Sequence, residues 1–185
     1  MILPIYAYGQ SVLRKVAHAI EPDYKDLQGL IEDMYQTMYS ARGVGLAAPQ
    51  IGKDIRLFVV DTLQLEKPEK DFKGFKRTFI NAQLLDESGE PWTYEEGCLS
   101  IPDIHAEIER KPVIHLRFTD ENWVEHTEIF EGVNARVIQH EYDHIEGILF
   151  IDRMKPLKRR MINRKLEKIK KGEVDIDHPM RFVKI

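Results

Sequence analysis

One cysteine in 185 residues leaves no room for an internal disulfide framework. No run of apolar residues approaches the roughly 20 needed to cross a bilayer. The opening Met1–Tyr6 stretch lacks the basic region and small-residue cleavage site of a secretory signal, and also the Arg- and Ser-rich character of a transit peptide. Internal repeats and low-complexity segments are missing too. These absences predict a cytoplasmic protein with no membrane association and a single domain over residues 1–185. Hydrophobic residues at 43% and charged residues at 31% allow such a chain an ordinary globular core.

The net charge of −4 is unevenly spread. Residues 155–171 carry nine Lys or Arg against the single acid Glu167, which sets a segment near +8 on a body near −12, with 18 bases and 30 acids elsewhere. Such a segment is either a docking surface for an anionic partner such as RNA or a solvated helix face completed by salt bridges.

Hydrophobic periodicity predicts a helix over 24–41, with Leu27, Leu30, Ile31, Met34 and Met38 at helical spacing and Gly43 as its stop. Ile55–Asp61 and Phe79–Leu85 read as strands. A polar stretch at 62–76, with four lysines, Pro68 and Gly74, reads as a surface loop. Ile114, Leu116 and Phe118 alternate with His115 and Arg117 as a half-buried strand does, and Asp120–Asn122 turns the chain into a hairpin over Trp123–Phe130. A second helix is expected from Val133 to Glu146, closed by Gly147, and a basic one over 157–171. Residues 173–185 are expected to form a flexible tail. Strands grouped between terminal helices define an α+β protein, its mixed or antiparallel strands packed around the central second helix.

That second helix carries His140-Glu141-Tyr142-Asp143-His144. Residues four apart share a helix face, so both histidines can grip one metal ion, with Glu141 beside them to handle the proton of a bound water. Two histidines under-ligate a catalytic metal, which usually takes three protein ligands. Cys98, after Gly97, is the candidate third; a lone cysteine is otherwise most often a small buried hydrophobe.

Three segments resemble the peptide deformylase family in order and spacing: Gly43-Val44-Gly45-Leu46-Ala47-Ala48-Pro49-Gln50, Glu96-Gly97-Cys98-Leu99-Ser100, and Gln139-His140-Glu141-Tyr142-Asp143-His144. The likeness runs from the opening Ile-Tyr-x-x-Gly-x-x-Val-Leu-Arg pattern to the terminal helix. It implies that Cys98, His140 and His144 hold one divalent metal, Fe(2+) in the cell, with Zn(2+), Ni(2+) or Co(2+) able to replace it. It implies the hydrolysis of N-formylmethionyl nascent peptides, in which an activated water attacks the formyl carbon with Glu141 as general base and acid. The Gln50 amide and the Leu99 backbone N–H are then the oxyanion donors. Val44, Val137 and the stem of Arg136 become walls of a methionine pocket, or simply core. Gly45 matches the position whose backbone meets the substrate chain. Glu96, held by Arg110, would fix the cysteine loop from behind, and Asp143 is read as structural.

His105 stands where many family members carry an arginine, which removes an arginine grip on the substrate there. His18, His115, His126 and His178 belong to no motif. By the same resemblance, Lys158, Arg159, Arg164, Lys165 and Lys168 mark a ribosome-docking face without sequence-specific nucleic-acid recognition. A zinc-type protease sharing HExxH and a non-catalytic RNA-binding protein with a structural metal are the competing classes. The upstream cysteine argues against the first and Glu141 against the second.

Overall fold

The computed structural model describes residues 1–67 and 71–183. In chain order the regular elements are β1 (Ile5–Tyr6), α1 (Leu27–Ser40), β2 (Gly45–Ala47), β3 (Leu57–Asp61), β4 (Lys76–Ser88), β5 (Trp92–Cys98), β6 (Ile101–Arg110), β7 (Val113–Thr119), β8 (Glu125–Glu131), α2 (Gly132–Ile145), α3 (Pro156–Met161), α4 (Asn163–Lys171) and β9 (Met180–Arg181). An antiparallel sheet in the order β2-β3-β4-β7-β8 forms the centre, β5 and β6 make a separate antiparallel hairpin, and β1 pairs in parallel with β9. The architecture is α+β.

Strand β3 shows how the sheet divides the core. Its side chains alternate between faces. Phe58 and Val60 join Phe79, Phe118, Ala135, Ile138 and Ile145 on the α2 side, whereas Leu57 and Val59 join Ile31, Met34 and Met38 of α1 on the other. Burial on both faces explains why this strand is an unbroken apolar run. Phe79 lies 4.5 Å from Phe118 and 4.8 Å from Phe58, centroid to centroid, and these rings fix the floor on which α2 rests.

A third cluster joins the hairpin to the C-terminal helices. Ile104, Ala106 and Ile108 of β6 point inward to Phe150, Leu166 and Ile169, while His105, Glu107 and Glu109 face out. The expected helix over 157–171 is interrupted at Ile162, where ψ relaxes to −5°. Ile162, Leu166 and Ile169 pack on this cluster, but Leu157 and Met161 remain 73% and 76% exposed, so only α4 is anchored.

Other boundaries move for identifiable reasons. The residue that breaks the path of α1 is Arg42 (φ 58°), and Gly43 donates back to the Met38 carbonyl at 2.8 Å. Trp123 (φ 61°) belongs to the turn, because Asp120 Oδ1 accepts from the N–H groups of Asn122 and Val124, so β8 starts at Glu125. In the polar stretch at 62–76, Thr62–Leu65 form a short 3-10 turn with Thr62 buried; Pro68, Glu69 and Lys70 lie outside the described residues. The stretch after α4 does not hang free through residue 183. Ile5 and Ala7 donate to the Pro179 and Arg181 carbonyls, each at 2.9 Å, and the Gln10 amide donates to the Phe182 carbonyl at 2.7 Å. The last two residues of the expected tail lie outside the described residues. Among the described residues, no helix is long and apolar enough to cross a membrane.

Candidate metal centre

Helix α2 brings His140, Glu141 and His144 to the end of β5, where Cys98 closes the strand. The ligand atoms of Cys98, His140 and His144 all lie within 4.8 Å of one another. Cys98 Sγ and His144 Nε2 are 3.4 Å apart. A tetrahedral ion at ordinary metal–sulfur and metal–nitrogen lengths separates two such ligands by about 3.5 Å, so this pair already has the spacing of adjacent ligands. The His140 imidazole gives Nδ1 to Glu96 Oε2 at 2.9 Å, which leaves its Nε2 for the site. Burial pushes the His144 imidazole well below its ordinary pKa, whereas at His140 burial is outweighed by the Cys98 sulfur and the Glu96 carboxylate, which raise it. The donor set therefore fits a divalent metal.

Glu141 is 4% exposed, and its Oε2 has no protein hydrogen-bond partner. Burial pushes its carboxyl up to about 7, with Glu96 and Asp143 adding to the rise and His140 opposing it. It lies directly on the backbone of β2: a Cβ on Gly45 would stand 2.4 Å from Glu141 Oε1, so no other residue fits at Gly45 without moving the carboxylate. Gln50 follows in the short 3-10 turn after β2. Its Oε1 accepts from the Ala47 N–H at 2.9 Å, which turns Nε2 toward Cys98 Sγ (3.5 Å) and Ser100 Oγ (3.2 Å). The amide donor is thus aimed at the ligand cluster by the backbone three residues earlier.

Behind the cluster stands a buried ionic array. Arg110 donates to both oxygens of Glu96, at 2.7 and 3.0 Å, and to Asp143 at 2.8 Å. Arg153 closes on Asp143 with two bonds, at 2.6 and 2.7 Å. Burial alone would raise the Glu96 carboxyl, yet the bonds from His140 and Arg110 hold it well below the usual carboxylate range. Glu96 and Arg110 are thus brought together, and Asp143 joins them instead of pointing into the site.

A cavity of about 410 Å³ opens in front of the cluster, and Val44, Gly45, Leu99, Arg136 and Val137 all line it. Arg136 does more than supply a wall. Its guanidinium donates to Glu96 (3.1 Å) and to the Ile108 (2.9 Å) and Trp92 (2.6 Å) carbonyls, with its carbon 4.8 Å from the Trp92 ring. Two of those partners are main-chain oxygens, invisible to motif reading. His105 is exposed at the rim, its ring against Gly97, and takes no part in the ligand group. His178, far away in sequence and in no motif, lines the same cavity.

A cysteine sulfur and two imidazoles beside a buried glutamate with a free oxygen, at the foot of an open cleft, define the class of metal-dependent hydrolases. Comparison with known proteins narrows that class. The polypeptide deformylase family model matches residues 2–160. A peptide deformylase of Flavobacterium johnsoniae is 53% identical over 98% of this chain and 96% of its own, and one of Cytophaga hutchinsonii is 47% identical over 98% of both. The crystal structure of a peptide deformylase from Legionella pneumophila superposes with a TM-score of 0.81 at 38% identity, covering 94% of this chain and 98% of that one. The chain belongs to the peptide deformylase family, hydrolases that remove the N-formyl group from nascent peptides.

Proposed function

We propose that this enzyme acts through a single divalent ion held by Cys98, His140 and His144, with Glu141 as its proton-transfer group. The observation that carries the reading is the convergence of those three ligand atoms beside a buried carboxylate with a free oxygen. A divalent ion held there supplies Lewis-acid chemistry, making water more acidic and polarising the formyl carbonyl. Glu141 takes a proton from the attacking water and passes it to the departing nitrogen, so that formate and a free amine leave. Negative charge gathering on the formyl oxygen is met by the Gln50 amide, already aimed there by Ala47, and by the Leu99 backbone N–H. Val44, Val137 and the Arg136 stem enclose the methionine side chain, with Gly45 presenting its backbone to the substrate.

Thiolate with imidazole accepts several first-row ions, and Fe(2+) is the proposed occupant in the cell, with Zn(2+), Ni(2+) or Co(2+) as substitutes. Formate release from formyl-Met-Ala-Ser, measured without oxygen on Fe(2+)-loaded protein, tests the activity. Cys98→Ala should lose bound metal and turnover together; full metal content in that variant would remove Cys98 from the ligand set.

The chain works as one catalytic unit in the cytoplasm and docks on ribosomes through its basic C-terminal helices. Lys158, Arg164, Lys165 and Lys168 are exposed there, Arg159 is half-buried, and Leu157 and Met161 add an uncovered apolar pair. Co-sedimentation with ribosomes at low salt, lost when the basic residues are neutralised, supports this; sedimentation that ignores the substitutions refutes it.

A further inference from the structure

The C-terminal segment contributes a side chain to the cleft that no motif marks. His178 follows α4 and lies two residues before the anchored β9 strand, where Ile5 and Ala7 fix the Pro179 and Arg181 carbonyls. Its side chain is 9% exposed. The Nε2 atom is buried without a hydrogen-bond partner, and an unsatisfied buried polar atom costs free energy. Yet this ring stands in the wall of the cavity that also holds Cys98, His140 and Glu141. On its other side, Nδ1 lies 3.7 Å from the Asp177 carboxylate, beyond hydrogen-bond reach, and an imidazole nitrogen that carries no proton is an acceptor.

The position within the cleft follows from its neighbour. Asp177 pairs with Arg42 at 3.2 Å, and Arg42, 84% exposed, lines the cavity where it meets solvent. A cavity of about 410 Å³ can enclose a formylated methionine but not the polypeptide that follows it. That polypeptide must leave by the open side. We propose that His178 is a substrate-binding residue, whose Nε2 accepts a hydrogen bond from a backbone N–H of the peptide just beyond the methionine. The segment after α4 then gives the enzyme a reason to favour chains over formyl-methionine alone. This rests on the deformylase function and is independent of which residues hold the metal or move the proton.

The test compares formyl-Met-Ala-Ser with formyl-methionine, which has no peptide N–H beyond the methionine. His178→Phe keeps a ring and removes the acceptor, His178→Ala removes the ring without crowding, and His178→Asn restores a short polar group. For the tripeptide, both apolar variants should raise KM about five- to tenfold with kcat within twofold, a loss of about 1 kcal/mol in binding. His178→Asn should recover part of it, and formyl-methionine turnover should stay unchanged in all three. Equal losses on both substrates, or an unchanged tripeptide KM in whichever apolar variant folds, would overturn the proposal. Wild-type protein inactive on both substrates would instead overturn the deformylase function, and this proposal with it.

Discussion

Two buried carboxylates, Glu96 bonded to His140 and Glu141 next to it in the chain, are treated in opposite ways. Glu96 receives bonds from Arg110, Arg136 and His140 and is held ionised. Glu141 keeps one oxygen without a partner, and burial holds its carboxyl up near neutrality. One carboxylate is surrounded by arginines, and the other has none, which suits the proton transfer proposed for it. Buried ion pairs are weak sources of stability but strong sources of damage when one partner is removed. The contrast is therefore between a carboxylate that is fixed in place and one that, on the proposed mechanism, reacts.

The sharpest way to break it is Glu141→Gln, which keeps the shape and removes the proton acceptor. Turnover should fall by about 10²–10⁴, with metal content and melting temperature close to wild type. Retained turnover would end the assignment of Glu141. On the other side, Arg110→Met should strand Glu96 and Asp143 without their shared partner, Arg110 being 3% exposed. Denaturant unfolding should register a loss of about 3–5 kcal/mol. A loss below 1 kcal/mol would mean that Arg136 and Arg153 carry the array without it. Gln50→Ala should lower kcat by about 10²–10³ through the missing oxyanion donor, leaving stability nearly intact.

The smallest effect concerns a bonded carboxylate well away from the reacting groups. Asp152 is held below its ordinary pKa: burial opposes the shift, and the Arg14 guanidinium and the Leu149 N–H outweigh it. A depressed carboxylate contributes stability above its unfolded pKa, about 3.9, and loses it as pH falls through the folded value. Asp152→Asn should accordingly flatten the acid limb of a melting-temperature profile below about pH 4 and lower the plateau above it. Parallel profiles for the variant and wild type would contradict that.

Much of this was legible beforehand because the site is built from short-range spacing. The i, i+4 histidines need only a helix, and Gln50 is oriented by Ala47 three residues earlier. The apolar run over Ile55–Asp61 read as a strand, and the structure buries β3 on both faces. The hairpin of β5 and β6 was also written in the chain, as Ile104, Ala106 and Ile108 alternating with His105, Glu107 and Glu109, yet a reading that centres on the cysteine leaves 92–110 unassigned. Other features had no local signal. The partners of Arg136 are carbonyls on two strands, the break at Ile162 depends on which side chains find the third cluster, and β1 and β9 are too short for any period to show.

The pairing of β1 with β9 bears on how the enzyme comes into being. Gln10 and Arg181, joined by a hydrogen bond, are 171 residues apart in the chain. Contacts of such separation are the slowest to close. During synthesis, the first strand emerges long before its partner exists, while the sheet and α2 can already assemble behind it. The wall that carries His178 is completed only after β9 has been made, so the cleft is among the last parts of this fold to close.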